Sequence, residues 1–452
     1  MSPRLYRLYC RLTKIKRKVS RKVSHTGRVL IVFAALCVLF GLNTRQTMMY
    51  QLASLSVMLL LLAFPLALRF DIRLRVRRIL PETCTAGEKL TYLLDLQNQD
   101  SATSNGLFFT EFSSTDFPTY QEFSTLREDG ETRRNYFDRK FGYYRWLWLL
   151  KQKAGARFVT SSLPPLQPDE HTQAEVSFTP LRRGYVQLGG YSIYRLEPLG
   201  LMKKELFFKD GAKLLVLPKR YSVLQTEQSG MQSQLLAGTG SGGRHGSSGE
   251  FVTLREYNSG DPLKHIDWKA TARTGEPVVR QFQDEHFSLS GLMLDIYPLP
   301  EERALFEEAV SVAASIITAE SRGACGVGLL CAGTTCISAD SSGRSGGSSL
   351  GEKQKMLEFL ACVQPAESVQ FSEIVDNITY NADYLGSLIV ILVSLDEKRR
   401  DLLNRLRALG RPCEVVLVTA DPDKSRDVIE EHALHPVRLF DIREKSKVVD
   451  LT

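Results

Sequence analysis

The sequence predicts a multidomain, membrane-anchored protein built from a transmembrane α-hairpin, a β-sandwich-like domain and a C-terminal α/β domain with a mostly parallel sheet. Three patterns carry that expectation: two uncharged apolar runs at residues 29–42 and 48–68, short alternating segments across residues 71–218, and apolar strands interleaved with amphipathic helices from residue 288 onward. The chain has 452 residues, more than one ordinary domain needs. Hydrophobic residues make up 43% and charged residues 24%, enough apolar material for separate cores and a composition that excludes wholesale disorder.

Residues 1–26 read as a basic cytoplasmic arm. Arg4, Arg7, Arg11, Lys14, Lys16, Arg17, Lys18, Arg21, Lys22 and Arg28 occur before the first apolar run, with no Asp or Glu among them, so much of the formal net charge of +7 is local. Placed directly before a span, the arm points to anionic lipid headgroups rather than to nucleic acid. The hairpin occupies residues 27–70. A hydrocarbon core about 30 Å thick needs roughly 20 residues, so the second run is long enough and the first is short unless Thr26, Asn43 and Thr44 sit at the interfaces. A cleaved signal peptide is the rival reading, but no A-x-A-like site follows Leu42 and a second apolar run arrives at once. Both outer flanks are basic, the second through Arg69, Arg73, Arg75, Arg77 and Arg78, whereas the connector holds only Arg45. Positive charge is retained on the cytoplasmic side, so the expectation is a two-span protein of the cell membrane with its soluble domains in the cytoplasm. The eight cysteines show neither C-x-x-C nor framework spacing and read as reduced and mostly buried.

Residues 71–218 form the β-rich, sandwich-like domain, with alternation in IRLRVRRIL, KLTYLLDLQN, RFVTSSL and AEVSFTPL. Within it, residues 136–150 (YFDRKFGYYRWLWLL) are expected to form an aromatic hairpin of the sandwich core, with a dip toward the membrane interface as the rival. Residues 219–250 read as a Gly/Ser-rich linker. They contain no G-x-x-x-x-G-K-[ST], so a phosphate loop is not expected. Residues 288–452 are the α/β domain. Its first helix is marked by Leu305, Phe306, Ala309, Val310, Ala313, Ile316 and Ile317 at helical spacing. Cys331 and Cys336 lack a second pair and read as buried strand residues rather than zinc ligands.

Between linker and α/β domain, residues 251–287 are dense in residues that need defined geometry. Ser259, Gly260, Asp261 and Pro262 form a turn signal, and Arg255, Asp261, Asp267 and Arg273 offer two cations and two anions beside the anchor Trp268. They are expected to clamp the linker to the α/β domain or to present a docking surface. His265 and Asp267, two apart, would share a face on a strand and suggest a hydrolase. No G-x-S-x-G and no second ligand-spaced His accompanies them, so no catalytic residues are assigned.

Arg255, Glu256, Tyr257, Gly260, Asp261, Lys264, Ile266, Asp267, Trp268, Ala272 and Arg273 resemble, with unbroken spacing, the signature R-E-Y-x-x-G-D-x-x-[RK]-x-I-D-W-x-x-x-A-R of the family called domain of unknown function 58. A second element, residues 182–204, is similar to that family's R-R-G-x-Y followed by D-P-F-G-L, here Glu197, Pro198, Leu199, Gly200 and Leu201. The resemblance implies a membrane hairpin, a β-rich domain, a C-terminal domain similar to von Willebrand factor type A, and partnership with MoxR-type AAA+ ATPases in assembling client proteins. It implies a non-enzymatic adaptor, with a membrane-bound hydrolase using His265 and Asp267 as the alternative. Type A domains often bind Mg²⁺ through D-x-S-x-S. Here that stretch runs from Asp295 through Ile296, Tyr297, Pro298 and Leu299, without either serine, so no cofactor is expected and Asp295 is the weak metal candidate, with Ser394 and Asp396 after a later strand.

Overall fold

The computed structural model describes residues 3–40, 47–69, 73–113, 117–128, 130–131, 134–221, 245–258, 263–283, 289–297, 302–319, 327–331, 334–336, 350–366, 385–408, 413–431, 437–442 and 448–451. They fall into two units, Met1–Pro218 and Lys219–Thr452.

The first unit begins with three helices. The basic arm is itself a helix, α1 (Pro3–Lys22). α2 (His25–Phe40) and α3 (Thr47–Arg69) pack against each other. Of α3, the 22 residues Met48–Arg69 are long and apolar enough to cross a membrane, at about 1.5 Å per residue against a core of about 30 Å. With 16 residues α2 is the shorter apolar helix and reaches only about 24 Å. Among the described residues, one helix passes the length test. Pro65 lies inside α3, near its end.

Two sheets then face one another. β1 (Leu74–Ile79), β3 (Leu90–Asn98), β7 (His171–Pro180) and β5 (Ala156–Phe158) make one, in the order β1-β3-β7-β5. The other runs β2 (Thr83–Thr85), β10 (Ala212–Leu217), β8 (Gly184–Leu196), β4 (Leu107–Ser113) and β6 (Ser161–Ser162), with β9 (Lys203–Phe208) also on β8. Period-two alternation explains the core: Tyr92, Leu94 and Leu96 point inward from β3, and Phe109, Leu188, Tyr191 and Ile193 meet them from the second sheet.

The aromatic stretch departs from the sequence expectation. Residues 136–150 are not a hairpin of the sandwich: they form α5 (Tyr136–Phe141) and α6 (Tyr143–Ala154), which follow the short α4 (Tyr120–Thr125). Gly142, at φ +63°, separates the two helices in a left-handed conformation that suits glycine. Their buried residues build a second small core with α1, in which Tyr9, Phe123, Trp146 and Leu149 are packed together. Trp146 Nε1 donates to Thr13 Oγ1 at 3.0 Å, and Tyr9 Oη donates to the Phe141 carbonyl at 3.0 Å. Aromatic content was read as strand propensity, but helical spacing places Trp146 and Leu149 on one face, and packing decided the outcome.

The turn at residues 197–201 ties the helices to the sandwich. Glu197 is buried and its carboxylate accepts the backbone N–H groups of Leu199, Leu201 and Met202. The turn's free carbonyls are used by the entry to α2: Ser24 Oγ donates to Gly200 O at 2.6 Å and Ser24 N to Leu201 O at 2.9 Å. Gly27 makes that approach possible, since a Cβ there would lie 2.1 Å from the Leu201 carbonyl oxygen.

The second unit contains a seven-stranded sheet ordered β15-β14-β13-β16-β17-β18-β19. These are β13 (Leu289–Leu294), β14 (Val327–Cys331), β15 (Thr334–Cys336), β16 (Leu385–Leu392), β17 (Cys413–Thr419), β18 (Val437–Asp441) and β19 (Val448–Leu451). The five strands β14-β13-β16-β17-β18 are parallel, and β15 and β19 close the edges antiparallel. Counted along the chain the parallel order is 2-1-3-4-5, a doubly wound arrangement whose order reverses between β13 and β16. The strands are apolar throughout because both faces are covered. Helices between strands include one over Arg303–Ala319, whose Phe306, Ala309, Val310, Ile316 and Ile317 are all buried as the spacing predicts, and one over Glu397–Ala408. Beyond the elements anticipated from sequence lie a helix over Pro422–Glu431, the interior parallel strand β18 and the edge strands β15 and β19.

Candidate functional site

Residues 245–283 form an antiparallel hairpin of β11 (His245–Glu256) and β12 (Val278–Gln283) with a helical cap at its tip. The strand therefore begins inside the stretch read as linker. The register pairs Arg255 with Val279 and Glu256 with Val278, and Tyr257 N donates to Pro277 O at 2.9 Å. At the tip a short 3₁₀ turn, Leu263–His265, leads into α7 (Trp268–Thr274).

Asp267 organises this cap. Its Oδ1 accepts from Lys269 N and Ala270 N at 3.0 Å each, filling the N-cap role, and Arg280 Nε donates to its Oδ2 at 2.8 Å. Those backbone donors, the Ala270 N–H first, and the Arg280 guanidinium hold the Asp267 carboxyl below its ordinary range. At the other end Gly275, at φ +79°, stops the helix and its N–H returns to Thr271 O at 2.9 Å. Thr271 Oγ1 accepts from Val278 N at 3.1 Å and joins the cap to β12.

The residues singled out from sequence separate into roles. Asp267 is the organiser, and its cationic partner is Arg280, which the sequence reading did not select. Arg255 lies on β11, where its Nη1 donates to Glu256 O at 3.1 Å, and Arg273 is exposed in the last turn of α7. Gly260 and Asp261 lie outside the described residues, with Ser259 and Pro262. His265 and Asp267 do not sit on a strand: a 3₁₀ turn ends at one and an α-helix is capped by the other, so the strand geometry behind the hydrolase reading is absent. Trp268 is 71% exposed on a cap pinned at both ends, and Leu263 is 67% exposed beside it in sequence.

The second feature lies at the C-terminal ends of the neighbouring strands β13 and β16, where strand order reverses. Asp295 follows β13 and is fully buried, and Arg399 stands in the first turn of the helix over Glu397–Ala408. Arg399 Nε donates to Asp295 Oδ2 at 2.6 Å, Nη1 to Asp396 Oδ2 at 2.8 Å and Nη2 to Tyr297 O at 2.6 Å. Asp295 Oδ1 accepts from Tyr297 N, and Asp396 Oδ1 caps the helix by accepting from Arg399 N, each at 3.0 Å. Burial opposes the Arg399 charge, but the hydrogen bond and charge of Asp295, then those of Asp396, outweigh it and raise its pKa. Ser394 Oγ is buried with no hydrogen-bond partner among the described residues and could offer one hard oxygen. The two carboxylates that a Mg²⁺ would need are nevertheless held by a guanidinium, so these residues do not fit a divalent cation. Among the described residues, no three His, Cys, Asp or Glu side chains are grouped to hold a metal. Cys331 pairs across the sheet with Thr334, and Cys336 with Leu329, so strand register does not bring the two cysteines opposite one another. The sequence signal for Arg399 was an Asp at a helix start with Arg three residues on, a local pattern that gives no hint of Asp295, 104 residues away.

A doubly wound α/β unit that carries a capped hairpin and a buried Arg399–Asp295 pair at its switch point defines the class. The model of the family described as protein of unknown function DUF58 matches residues 253–428 of this chain. A curated relative, uncharacterized protein YeaD of Bacillus subtilis, is 31% identical over 133 residues. That match covers 29% of this chain, and the chain spans about a third (32%) of the relative's length. Among solved structures, a CARDB domain from Pyrococcus furiosus is 10% identical at a TM-score of 0.16, covering 32% of this chain and 93% of that one. The alkylpurine DNA glycosylase AlkC of Pseudomonas fluorescens, bound to abasic DNA, is 10% identical at a TM-score of 0.19, covering 43% and 44%. At such scores neither fold nor function transfers.

Proposed function

We propose that the protein is a membrane-tethered, non-enzymatic adaptor or assembly factor whose second unit docks a MoxR-type AAA+ ATPase, a client protein, or both. The observation that carries this reading is the exposed Trp268 on a cap held by Asp267, Arg280, Thr271 and Gly275. A large aromatic side chain in water on a rigid base is the form of a protein-docking anchor, because Trp buries much area on association while little order remains to be imposed. The 2-1-3-4-5 sheet supports likeness to von Willebrand factor type A, and the ATPase partner follows from the family resemblance. The long apolar helix Met48–Arg69 supports the tether, and the basic flanks support two spans with both soluble parts in the cytoplasm. The hydrolase alternative is disfavoured because both Asp267 oxygens are already committed.

Affinity capture of the full chain from native membranes tests it. The intact protein is expected to enrich an AAA+ ATPase and Trp268→Ala to lose it, whereas equal recovery with both would overturn the docking role of the cap. For orientation, the second unit should resist protease in right-side-out vesicles and be digested only after lysis. Digestion from outside would reverse it.

A further inference from the structure

We propose that α1 is a membrane-interface helix that lies on an anionic bilayer surface through a face the fold leaves open. This rests on the tethering reading above and adds a contact that the spanning helix does not supply. One face of α1 is already used: Tyr6, Tyr9 and Thr13 pack against or bond to residues 117–146. A different face carries Leu8, Leu12, Ile15 and Val19, at i, i+4, i+7 and i+11, and at about 100° per residue these fall within roughly 60° of one another. They are 39–57% exposed although all four are aliphatic.

The occupant follows from charge and position. α1 holds nine Lys and Arg residues and no Asp or Glu, and by the same rotation Arg4, Arg11, Lys18 and Lys22 border the aliphatic stripe. An apolar stripe edged by cations suits the boundary between acyl chains and anionic headgroups, the cations attracted to the surface charge while the stripe enters the hydrocarbon. The helix is also fixed beside the membrane. α2 begins at His25, directly after α1 ends at Lys22, and Val23 forms a β-bridge with Met202 that holds the junction to the sandwich.

The full chain is reconstituted in phosphatidylcholine vesicles containing roughly one third phosphatidylglycerol, with a small fluorescent residue genetically placed at Leu12 or at Arg7. Brominated phosphatidylcholine should quench the probe at 12 about threefold more than the probe at 7, and aqueous iodide should show the reverse order. Iodide quenching at 12 would overturn the proposal, as would shielding from iodide without bromolipid quenching, which marks cover by protein. Equal quenching in vesicles lacking phosphatidylglycerol would overturn the anionic requirement. Because a probe can unseat the helix, the unlabelled chain with Leu8→Ser and Leu12→Ser is the second arm. Amide exchange over residues 3–22 in vesicles should quicken, and unchanged exchange would also overturn it. Sedimentation with vesicles tests the tether separately, since a chain held by Met48–Arg69 pellets whether or not α1 touches lipid.

Discussion

Each unit buries an arginine against carboxylates, and the two do so in different places. In the first unit Arg78 of β1 reaches across the sandwich to Glu111 of β4, Nη1 to Oε1 at 2.5 Å, with both side chains 3% exposed. Tyr92 Oη also donates to Glu111 at 2.6 Å, and the Arg78 guanidinium lies over the Tyr191 ring. In the second, Arg399 joins Asp295 and Asp396 at the point where strand order reverses. The first cluster staples two sheets through the middle of a core. The second stands at the switch point, the place where doubly wound folds ordinarily take ligands. One chemistry thus ties two sheets together in one unit and joins a strand end to a helix start in the other. The surroundings differ too. Each arginine has a second carboxylate, Asp210 for Arg78 (Nε to Oδ2 at 3.0 Å) and Asp396 for Arg399. Burial nevertheless pushes the Glu111 carboxyl above its ordinary value against the pull of Tyr92 and Arg78, whereas Asp295 and Asp396 outweigh burial and hold Arg399 charged.

The largest effect should follow Arg399→Ala, which strands two acidic groups, one fully buried. Removing one partner of a buried pair costs about 3–5 kcal/mol, so the second unit should unfold at clearly lower denaturant, and Asp295→Asn added to it should restore part of the loss. Failure of the double variant to recover would show that Arg399 acts through packing, not charge. Arg78→Ala should cost less, about 2–3 kcal/mol, because Tyr92 still bonds Glu111 and a carboxyl already pushed upward can take a proton. Replacing the pair together, Arg78→Met with Glu111→Leu, should still cost about 1–3 kcal/mol, because the buried Tyr92 hydroxyl loses its acceptor. Equal costs for the two arginines would erase the distinction drawn above.

Smaller still is Asp267, on the surface. Its carboxyl is depressed in the folded state, so its contribution is fully present above the unfolded value of about 3.9 and is lost as pH falls through the lower folded one. Protection of the Lys269 and Ala270 amides, taken against their intrinsic exchange rates, should fall below about pH 4 in the parent and be low at every pH in Asp267→Ala. Exchange indifferent to that substitution would remove Asp267 as organiser of the cap. The smallest effect is expected from magnesium. Adding Mg²⁺ or a chelator should leave the unfolding midpoint of the second unit where it is, and a stabilisation abolished by Asp295→Ala would show that the guanidinium yields to the ion.

Periodicity made the framework legible. The alternation in β3 and β7, the apolar strands β16 and β17, and the apolar helix at Arg303–Ala319, which is buried on every side from Ala309 to Ile317, all follow from which side chains must leave water, a requirement written locally in the pattern of apolar residues. The unbroken signature around Asp267 and Trp268 marked the candidate site for the same reason, since cap, turn and anchor lie within a few residues. Residues 136–150 were misread because aromatic content suits strand and helix alike, and only the seat that α1 offers Trp146 decided between them. The sequence by itself determined that there is a long apolar helix, a β-rich unit, an α/β unit and a signature between them. Tertiary structure alone decided that Arg280 serves Asp267, that Arg399 pairs with Asp295, and that Glu197 shapes the turn receiving Ser24. Each of these joins groups brought together by the chain's path rather than by its local pattern, and a charge finds its partner by distance in space.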